Sequence, residues 1–277
     1  MDITAAFVGG GNMGGALIRG LIARGLPAQR ISVGEAHQAR RIGLADELGV
    51  LVTADNREAV HGADVVVIAV KPQDMAGTVR ELAQSLAARV PLVISIAAGI
   101  RVADIEGWAG AGVPVVRAMP NRPALNGAGA TAMFAPPGVT DAHRALAAQV
   151  LGAVGTTVWV AEESLLDVVT ALSGSGPAYF FLLAELMTDA AVNLGLDRAS
   201  ALELSLQTLY GSGLMARNSD GDLARLRAEV TSKGGTTEAA VRSFDAANLR
   251  GIVAAALTAA TERGREMARA FGQPGTK

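Results

Sequence analysis

The sequence predicts a doubly wound α/β domain with a mainly parallel sheet, followed by an all-α domain. Up to about residue 160, short apolar runs rich in β-branched residues alternate with longer amphipathic stretches. After Glu162 no further β-branched run occurs, and Gly, Asn and Asp separate stretches that have helical patterns. A chain of 277 residues is also too long for one comfortable core. We therefore predict two domains, over residues 1–161 and 162–277.

Eight short apolar runs are predicted to be strands. Each is too short for a core helix, and most are nearly continuous in apolar residues, as strands covered on both faces must be. The last two runs flank a helical stretch at residues 141–151, and we place them at one edge of the same sheet. The predicted strands are residues 5–9, 31–34, 50–53, 65–70, 92–96, 115–118, 130–134 and 157–160.

The second domain contains a central helical stretch, residues 177–194, that is apolar nearly all round. It begins with Pro177, which suits a first helical turn, and is interrupted chiefly by Glu185 and Asp189. Such a helix must be buried, and a small domain has difficulty covering it alone. We predict burial in a subunit interface. The alternative is the core of a helical monomer.

Composition excludes several classes of function. The chain has no cysteine, which excludes disulfides, thiolate catalysis and Cys-ligated metal and fits a reducing compartment. His37, His61 and His143 are not at metal-ligand spacing, so we expect helix-end or surface positions and no metal site. The net charge of -2 argues against nucleic-acid or anionic-membrane binding. No basic segment precedes the first apolar run, so we expect neither a signal peptide nor an anchor, and a cytoplasmic protein.

A glycine loop follows the first predicted strand. Gly9, Gly11 and Gly14 form a G-x-G-x-x-G pattern that also opens the next helix. The first glycine permits a tight turn, the second lets the backbone approach a pyrophosphate, and the third lets helix and strand pack closely. The alternative, a merely flexible turn, does not account for this strand and helix setting. The pattern predicts a Rossmann domain that binds NADPH or NADH.

The choice between these cofactors depends on the end of the second strand. Glu35 stands where an acid binds the adenine ribose hydroxyls, which favours NADH because a carboxylate repels a 2′-phosphate. Arg40 and Arg41 follow within two turns and could hold that phosphate. The sequence leaves the choice open.

Several further motifs carry a resemblance to a known family. They are residues 69–72 (AVKP), 95–99 (SIAAG), 119–121 (MPN), 173–179 (SGSGPAY) and 230–238 (VTSKGGTTE). Together with the glycine loop, their order and spacing resemble pyrroline-5-carboxylate reductase from about residue 4 to residue 270. The Gly-Gly-Thr-Thr segment is the most specific, because generic Rossmann dehydrogenases lack it.

The resemblance implies reduction of L-1-pyrroline-5-carboxylate to L-proline, the last step of proline biosynthesis, with hydride from NADPH or NADH. It also implies a homodimer, often within rings of dimers, whose interleaved C-terminal helices build the substrate pocket. Two positions depart from the family pattern: Lys233 replaces a proline and Arg122 replaces a threonine. The cofactor residues carried over are Val8, Gly9, Gly10, Gly11, Asn12, Met13, Gly14, Glu35, Asn56, Ala69, Val70, Lys71, Pro72 and Ala97. The substrate residues are Glu163, Ser175, Gly234, Gly235, Thr236 and Thr237, with Thr237 and Ser232 assigned to catalysis.

The Gly-Gly-Thr-Thr segment also makes chemical sense by itself. It precedes a helix predicted to begin near Glu238, so its N–H groups form a socket for a small carboxylate. The alternative is a threonine that only caps the helix, which needs just one hydroxyl. A hydroxyl such as that of Thr237 and a carboxylate such as that of Glu163 could polarise an imine nitrogen.

Two rival functions deserve comparison. A 3-hydroxyacid dehydrogenase of the 6-phosphogluconate type shares the Rossmann domain but uses a lysine on the helix after a glycine-rich turn. No lysine occurs between Lys71 and Lys233, which leaves that mechanism without its acid and base. A non-catalytic dinucleotide sensor is the other rival, and it would not need a carboxylate socket.

Overall fold

A computed structural model describes residues 2–110 and 112–271. Its described strands form one sheet in the order β3-β2-β1-β4-β5-β6-β7-β8. All neighbouring strands are parallel except β6 and β7, which are antiparallel. The strands are β1 (Ala5–Val8), β2 (Ile31–Gly34), β3 (Leu51–Thr53), β4 (Val65–Ile68), β5 (Leu92–Ser95), β6 (Val115–Met119), β7 (Gly129–Phe134) and β8 (Gly155–Trp159).

The sheet confirms the predicted fold class. Each predicted apolar run overlaps a strand, with ends that differ by at most two residues, and the last two strands lie at one edge, as expected. Ala5 of β1 lies opposite both Ile31 of β2 and Val65 of β4, so the chain reverses its winding direction at β1. In such sheets a crevice opens beyond the carboxyl ends of the two strands at this switch point.

Twelve described helices accompany the sheet. The predicted helical stretch 141–151 coincides with α6, whose N-cap Thr140 accepts a hydrogen bond from the His143 N–H. The helices are α1 (Asn12–Ala23), α2 (Gln38–Leu48), α3 (Asn56–Val60), α4 (Met75–Arg89), α5 (Val102–Ala109), α6 (Asp141–Leu151), α7 (Leu165–Val169), α8 (Gly176–Asn193), α9 (Arg198–Arg217), α10 (Leu223–Glu229), α11 (Thr236–Ala246) and α12 (Leu249–Phe271).

The sheet separates two apolar cores, because successive strand residues point to opposite faces. Phe7 of β1 packs on the face covered by Leu17 of α1, whereas Val8 packs on the other face with Leu82 of α4. Both faces are therefore covered, which explains why the strand sequences are nearly continuous in apolar residues rather than alternating.

The described chain divides into two compact units. One comprises the residues up to Gly174 and those from Ala260 onwards, and the other is Ser175–Ala259. The domain boundary between residues 161 and 162 stays a prediction. A single turn of π-helix, Thr170–Gly174, ends the continuous part of the first unit.

The central helix of the second unit matches the predicted stretch within one residue at each end. Its apolar side chains are not covered within one chain: Phe180 and Phe181 are 58% and 63% exposed. The alternative of a monomeric helical core is therefore wrong for the described residues. An 18-residue window within Leu165–Asn193 has a mean hydropathy of 1.3, and length and composition alone would let this segment cross a membrane. An uncovered apolar helix of this kind requires a partner surface.

The three histidines occupy helix ends, as predicted. His37 is the N-cap of α2, His61 is the C-cap of α3, and His143 lies in the first turn of α6. Among the residues that the structure describes, no group of three His, Cys, Asp or Glu side chains could hold a metal ion.

Candidate functional site

A cleft of about 730 Å³ opens at the carboxyl ends of β1, β2 and β4. This is the position that the switch point in the strand order predicts for a ligand. The structure brings together at this cleft the predicted cofactor residues Gly9, Gly10, Gly11, Asn12, Glu35, Asn56, Ala69, Val70 and Lys71.

Five predicted cofactor residues do not line the cleft. Val8 is buried in β1, and Ala97 is only 3% exposed after β5. Met13 packs against the core on one face of the sheet. Gly14 is buried in α1, and Pro72 begins a 3₁₀ turn. Contact of these five with a cofactor stays a prediction.

The glycine loop has the geometry expected of a pyrophosphate-binding turn. Gly9 has φ 99°, and a Cβ atom there would lie 2.7 Å from the Ala69 carbonyl oxygen. A Cβ at Gly14 would lie 2.4 Å from the Gly9 carbonyl oxygen. A Cβ at Gly11, in contrast, would meet no described atom within 4 Å, because this position faces the open cleft. The loop is therefore closely packed against the protein at Gly9 and Gly14 and open to the cleft at Gly11, where a phosphate would approach.

Glu35 is the most constrained polar side chain of the cleft. It is 4% exposed, and its two oxygens accept hydrogen bonds from the Gly10 N–H at 3.0 Å and the His37 N–H at 2.9 Å. The Arg40 guanidinium donates to Oε2, also at 3.0 Å. Burial acts to raise the pKa of Glu35, but the His37 and Gly10 N–H groups and Arg40 outweigh it and hold the pKa below its usual value.

The two arginines considered for phosphate binding have different surroundings. Arg40 lines the cleft beside Glu35. Arg41 donates instead to the carbonyl oxygens of Glu35 and Ala36, at 2.6 and 2.8 Å, and does not line the cleft. Of these two arginines, only Arg40 is therefore placed to contact a ligand in the cleft.

Sequence reasoning missed part of the cleft. Arg19 of α1 and Glu47 of α2 both line the cleft, and the Arg19 guanidinium donates a hydrogen bond to the Glu47 carboxylate at 2.7 Å. The helical spacing of Gly15 and Arg19, four residues apart on the face that begins at Gly11, is a signal that could have found them. The other unpredicted lining residues are Gly34, Ala36, His37, Gly43, Leu44, Asp74 and Thr78.

The Gly-Gly-Thr-Thr segment lies in the second compact unit. Helix α11 begins at Thr236, so the prediction of a start near Glu238 is wrong by two residues. Gly235 is the N-cap residue of α11, since its carbonyl accepts the Ala239 N–H while its own backbone is extended, with φ −85° and ψ 173°. Thr236 and Thr237 occupy the first two helical positions. The alternative of a threonine cap is therefore wrong as well.

The remaining predicted substrate residues lie in different settings. Ser175 is the N-cap residue of α8, and Ser232 is exposed in the turn before α11. The side chains of Arg122 and Lys233, which depart from the family pattern, are exposed.

Glu163 has two protein partners within the first unit. Its Oε1 accepts the Val102 N–H at 2.8 Å and lies 3.1 Å from Arg117 Nη1. Arg117 is on β6, its side chain is 6% exposed, and its Nη2 lies 3.9 Å from an Asp167 oxygen. This cluster ties the start of α5 and α7 to the sheet. The substrate role of Glu163 stays a prediction.

Comparison with known proteins extends over both units. A family model described as pyrroline-5-carboxylate reductase dimerisation matches residues 163–267, and one described as NADP oxidoreductase coenzyme F420-dependent matches residues 4–99. The chain is 47% identical to a pyrroline-5-carboxylate reductase of Pseudomonas aeruginosa, over 97% of this chain and 98% of the relative. The chain belongs to the pyrroline-5-carboxylate reductase family.

Solved structures of the family agree with this assignment. A pyrroline-5-carboxylate reductase from Coxiella burnetii is 41% identical, with a TM-score of 0.94 over 96% of this chain and 99% of that one. A Plasmodium falciparum pyrroline carboxylate reductase with NADP bound is 27% identical, with a TM-score of 0.81 over 96% and 98% of the two chains. The family fold therefore extends over nearly the whole chain.

Proposed function

We propose that this protein reduces L-1-pyrroline-5-carboxylate to L-proline, the last step of proline biosynthesis, with NADPH or NADH as cofactor. The observation that carries the proposal is the 47% identity to a pyrroline-5-carboxylate reductase along nearly the full length of both chains. A bound reduced nicotinamide supplies a hydride. The hydride adds to the carbon of the ring C=N bond while the nitrogen takes a proton, so the cyclic imine becomes a secondary amine.

The cleft suits a dinucleotide. The open side of Gly11 and the start of α1 would hold the pyrophosphate, because unpaired N–H groups at a helix start favour anions. Glu35, fixed by three donors, would accept hydrogen bonds from the adenine ribose hydroxyls. We assign Asn56 and residues 69–72 to the same cofactor, together with Ala97 and the rest of the glycine loop from Val8 to Gly14.

We assign substrate binding to the segment around the start of α11. The first helical residues, Thr236 and Thr237, have N–H groups without partners inside the helix, and these would hold the substrate carboxylate. The Thr237 hydroxyl would donate to or orient the imine nitrogen, with Ser232 beside it. Ser175, Glu163 and the two glycines complete the proposed set.

The assembly that fits this function is a homodimer. The family model that matches residues 163–267 describes dimerisation, and the exposed apolar face of α8 lies within that range. We propose further that dimers associate into rings. We also propose that the boundary between the two functional domains lies in the sequence between residues 161 and 162. A cytoplasmic location fits a chain without cysteine.

The decisive experiment mixes the protein with NADH or NADPH and pyrroline-5-carboxylate and follows the nicotinamide absorbance. A reductase oxidises the cofactor and forms an equal amount of proline. A non-catalytic sensor leaves the absorbance unchanged. A second arm mixes the protein with NAD⁺ or NADP⁺ and 3-hydroxy acids. Reduction of the cofactor in this arm would support the hydroxyacid dehydrogenase instead.

A further inference from the structure

The turn that leads into α11 has an unusual construction. The Gly235 N–H donates to the Ser232 carbonyl at 3.0 Å, which closes a four-residue turn, residues 232–235. Gly234 has a positive φ of 75°, whereas the φ of Lys233 is not positive. A negative φ followed by a positive one is the signature of a type II turn, which needs glycine at its third position.

Lysine is a weak choice for the second position of this turn. Proline is common there because its ring presets the required φ. This chain has Lys233 at that position. The 232–235 turn therefore lacks a constraint that a proline ring would supply, and the chain before α11 has more conformational freedom to lose.

A side chain from the helix supplies a different constraint. Glu238, in the first turn of α11, accepts a hydrogen bond from the Gly234 N–H at 2.6 Å through Oε2. The turn's own hydrogen bond uses the Gly235 N–H, so the Gly234 N–H is available for this contact. The bond is charge-assisted, and a carboxylate is favoured at a helix start. The Arg242 guanidinium lies 3.8 Å from the other Glu238 oxygen, Oε1.

We infer that Glu238 is a positioning residue, which clamps the 232–235 turn to the start of α11 in place of the proline ring. The clamp keeps Ser232, Thr236 and Thr237 in a fixed relation to one another. It also engages the Gly234 N–H, and the Gly235 N–H already donates to the Ser232 carbonyl, so the amides left to hold the substrate carboxylate are those of Thr236 and Thr237. The inference rests on the proposed function for the identity of that substrate.

The test compares Glu238→Ala, Glu238→Gln and Lys233→Pro/Glu238→Ala with the full-length enzyme. We expect Glu238→Ala to raise KM for pyrroline-5-carboxylate by about two- to tenfold, as loss of one hydrogen bond implies. Glu238→Gln should have a smaller effect, since its amide oxygen can still accept the N–H. The double variant should recover most of the loss. Asp245→Ala, which removes an exposed carboxylate from the same helix, is the control.

A second readout does not depend on turnover. Hydrogen exchange at the Gly234 amide should be faster in Glu238→Ala than in the parent enzyme and stay fast in the double variant, which also lacks the acceptor. Exchange at the Gly235 amide, which makes the turn's own hydrogen bond, should be faster in Glu238→Ala and slower again in the double variant. Unchanged KM and unchanged exchange would overturn the inference, as would a lowered melting temperature with no change in KM. If the parent enzyme does not oxidise NADH or NADPH with pyrroline-5-carboxylate, the proposed function fails, and exchange at Gly234 still decides whether the clamp exists.

Discussion

The Glu35 carboxylate accepts a hydrogen bond from the Gly10 N–H at 3.0 Å and thereby joins the end of β2 to the glycine loop. We propose the same side chain as the one that binds the adenine ribose. On that proposal Glu35 has two roles: it supports the glycine loop, and it would repel a 2′-phosphate. A substitution at this residue should then change both the loop and the cofactor preference.

We expect Glu35→Ser to raise the ratio of kcat/KM for NADPH to that for NADH by about tenfold or more, equivalent to about 1.4 kcal/mol. The substitution removes the repelling carboxylate and releases Arg40 to bind the phosphate. Arg40→Ala in the same background should cancel the gain. Arg41→Ala should not, because Arg41 is bonded to backbone carbonyls outside the cleft. An unchanged ratio in Glu35→Ser would show that Glu35 does not face the ribose.

The lowered pKa of Glu35 has a consequence for stability. A carboxyl whose pKa is lower in the folded than in the unfolded state stabilises the fold at pH values above its ordinary pKa. That contribution is lost as the pH falls through the folded pKa. The difference in unfolding free energy between the parent and Glu35→Gln should therefore shrink from neutral pH to about pH 3. Urea denaturation at each pH measures it, and a constant difference would contradict the assignment.

The buried ion pair of Arg117 and Glu163 should matter for folding. Arg117→Ala leaves the carboxylates of Glu163 and Asp167, which are 23% and 14% exposed, without their cation. We expect a loss of about 3 kcal/mol or more in unfolding free energy. Arg225→Ala, at an exposed pair with Glu229, should cost less than about 1 kcal/mol. Equal losses in urea denaturation would mean that burial of the pair is unimportant.

Thr237→Ala should impair turnover far more than folding. A hydrogen bond to a charged group contributes about 1.5 to 3 kcal/mol, so kcat/KM should fall by about ten- to one-hundred-and-fifty-fold. Folding should change little, because Gly235 and not a threonine caps α11. Thr140→Ala removes a true cap from α6 and should do the reverse, with about 0.5 to 2 kcal/mol of lost stability and normal turnover. Steady-state kinetics and thermal unfolding on the same preparations separate the two effects.

The exposed face of α8 should maintain the dimer. Phe181→Glu places a charge on a side chain that is 63% exposed in one chain, and burial of that charge in an interface is costly. We expect light scattering at micromolar concentration to show dissociation. Ile42→Glu, at a 52% exposed apolar residue of α2, is the matched control and should stay dimeric. A stable, active monomer of the parent protein would remove the interface argument.

Part of this structure was predictable because the interactions that determine it join residues that are close together in the sequence. The strands follow from apolar runs that must be covered on both faces, and the glycine loop follows from the three motif glycines Gly9, Gly11 and Gly14. The start of α11 was predicted two residues late. The pattern of two glycines and two threonines does not reveal that Gly235 adopts the extended cap conformation, which leaves both threonines inside the helix.

The sequence by itself determined the order of strands and helices, the location of the dinucleotide cleft and the family resemblance, because periodicity, turn chemistry and motifs are local properties. Tertiary structure alone decided which side chains meet. Glu35 reaches Gly10 across 25 residues and Arg117 reaches Glu163 across 46, after the chain has crossed the sheet. Arg40 and Arg41 are neighbours in the chain, yet only Arg40 lines the cleft. Their side chains leave the helix in different directions, and only the packed fold determines which direction faces the ligand.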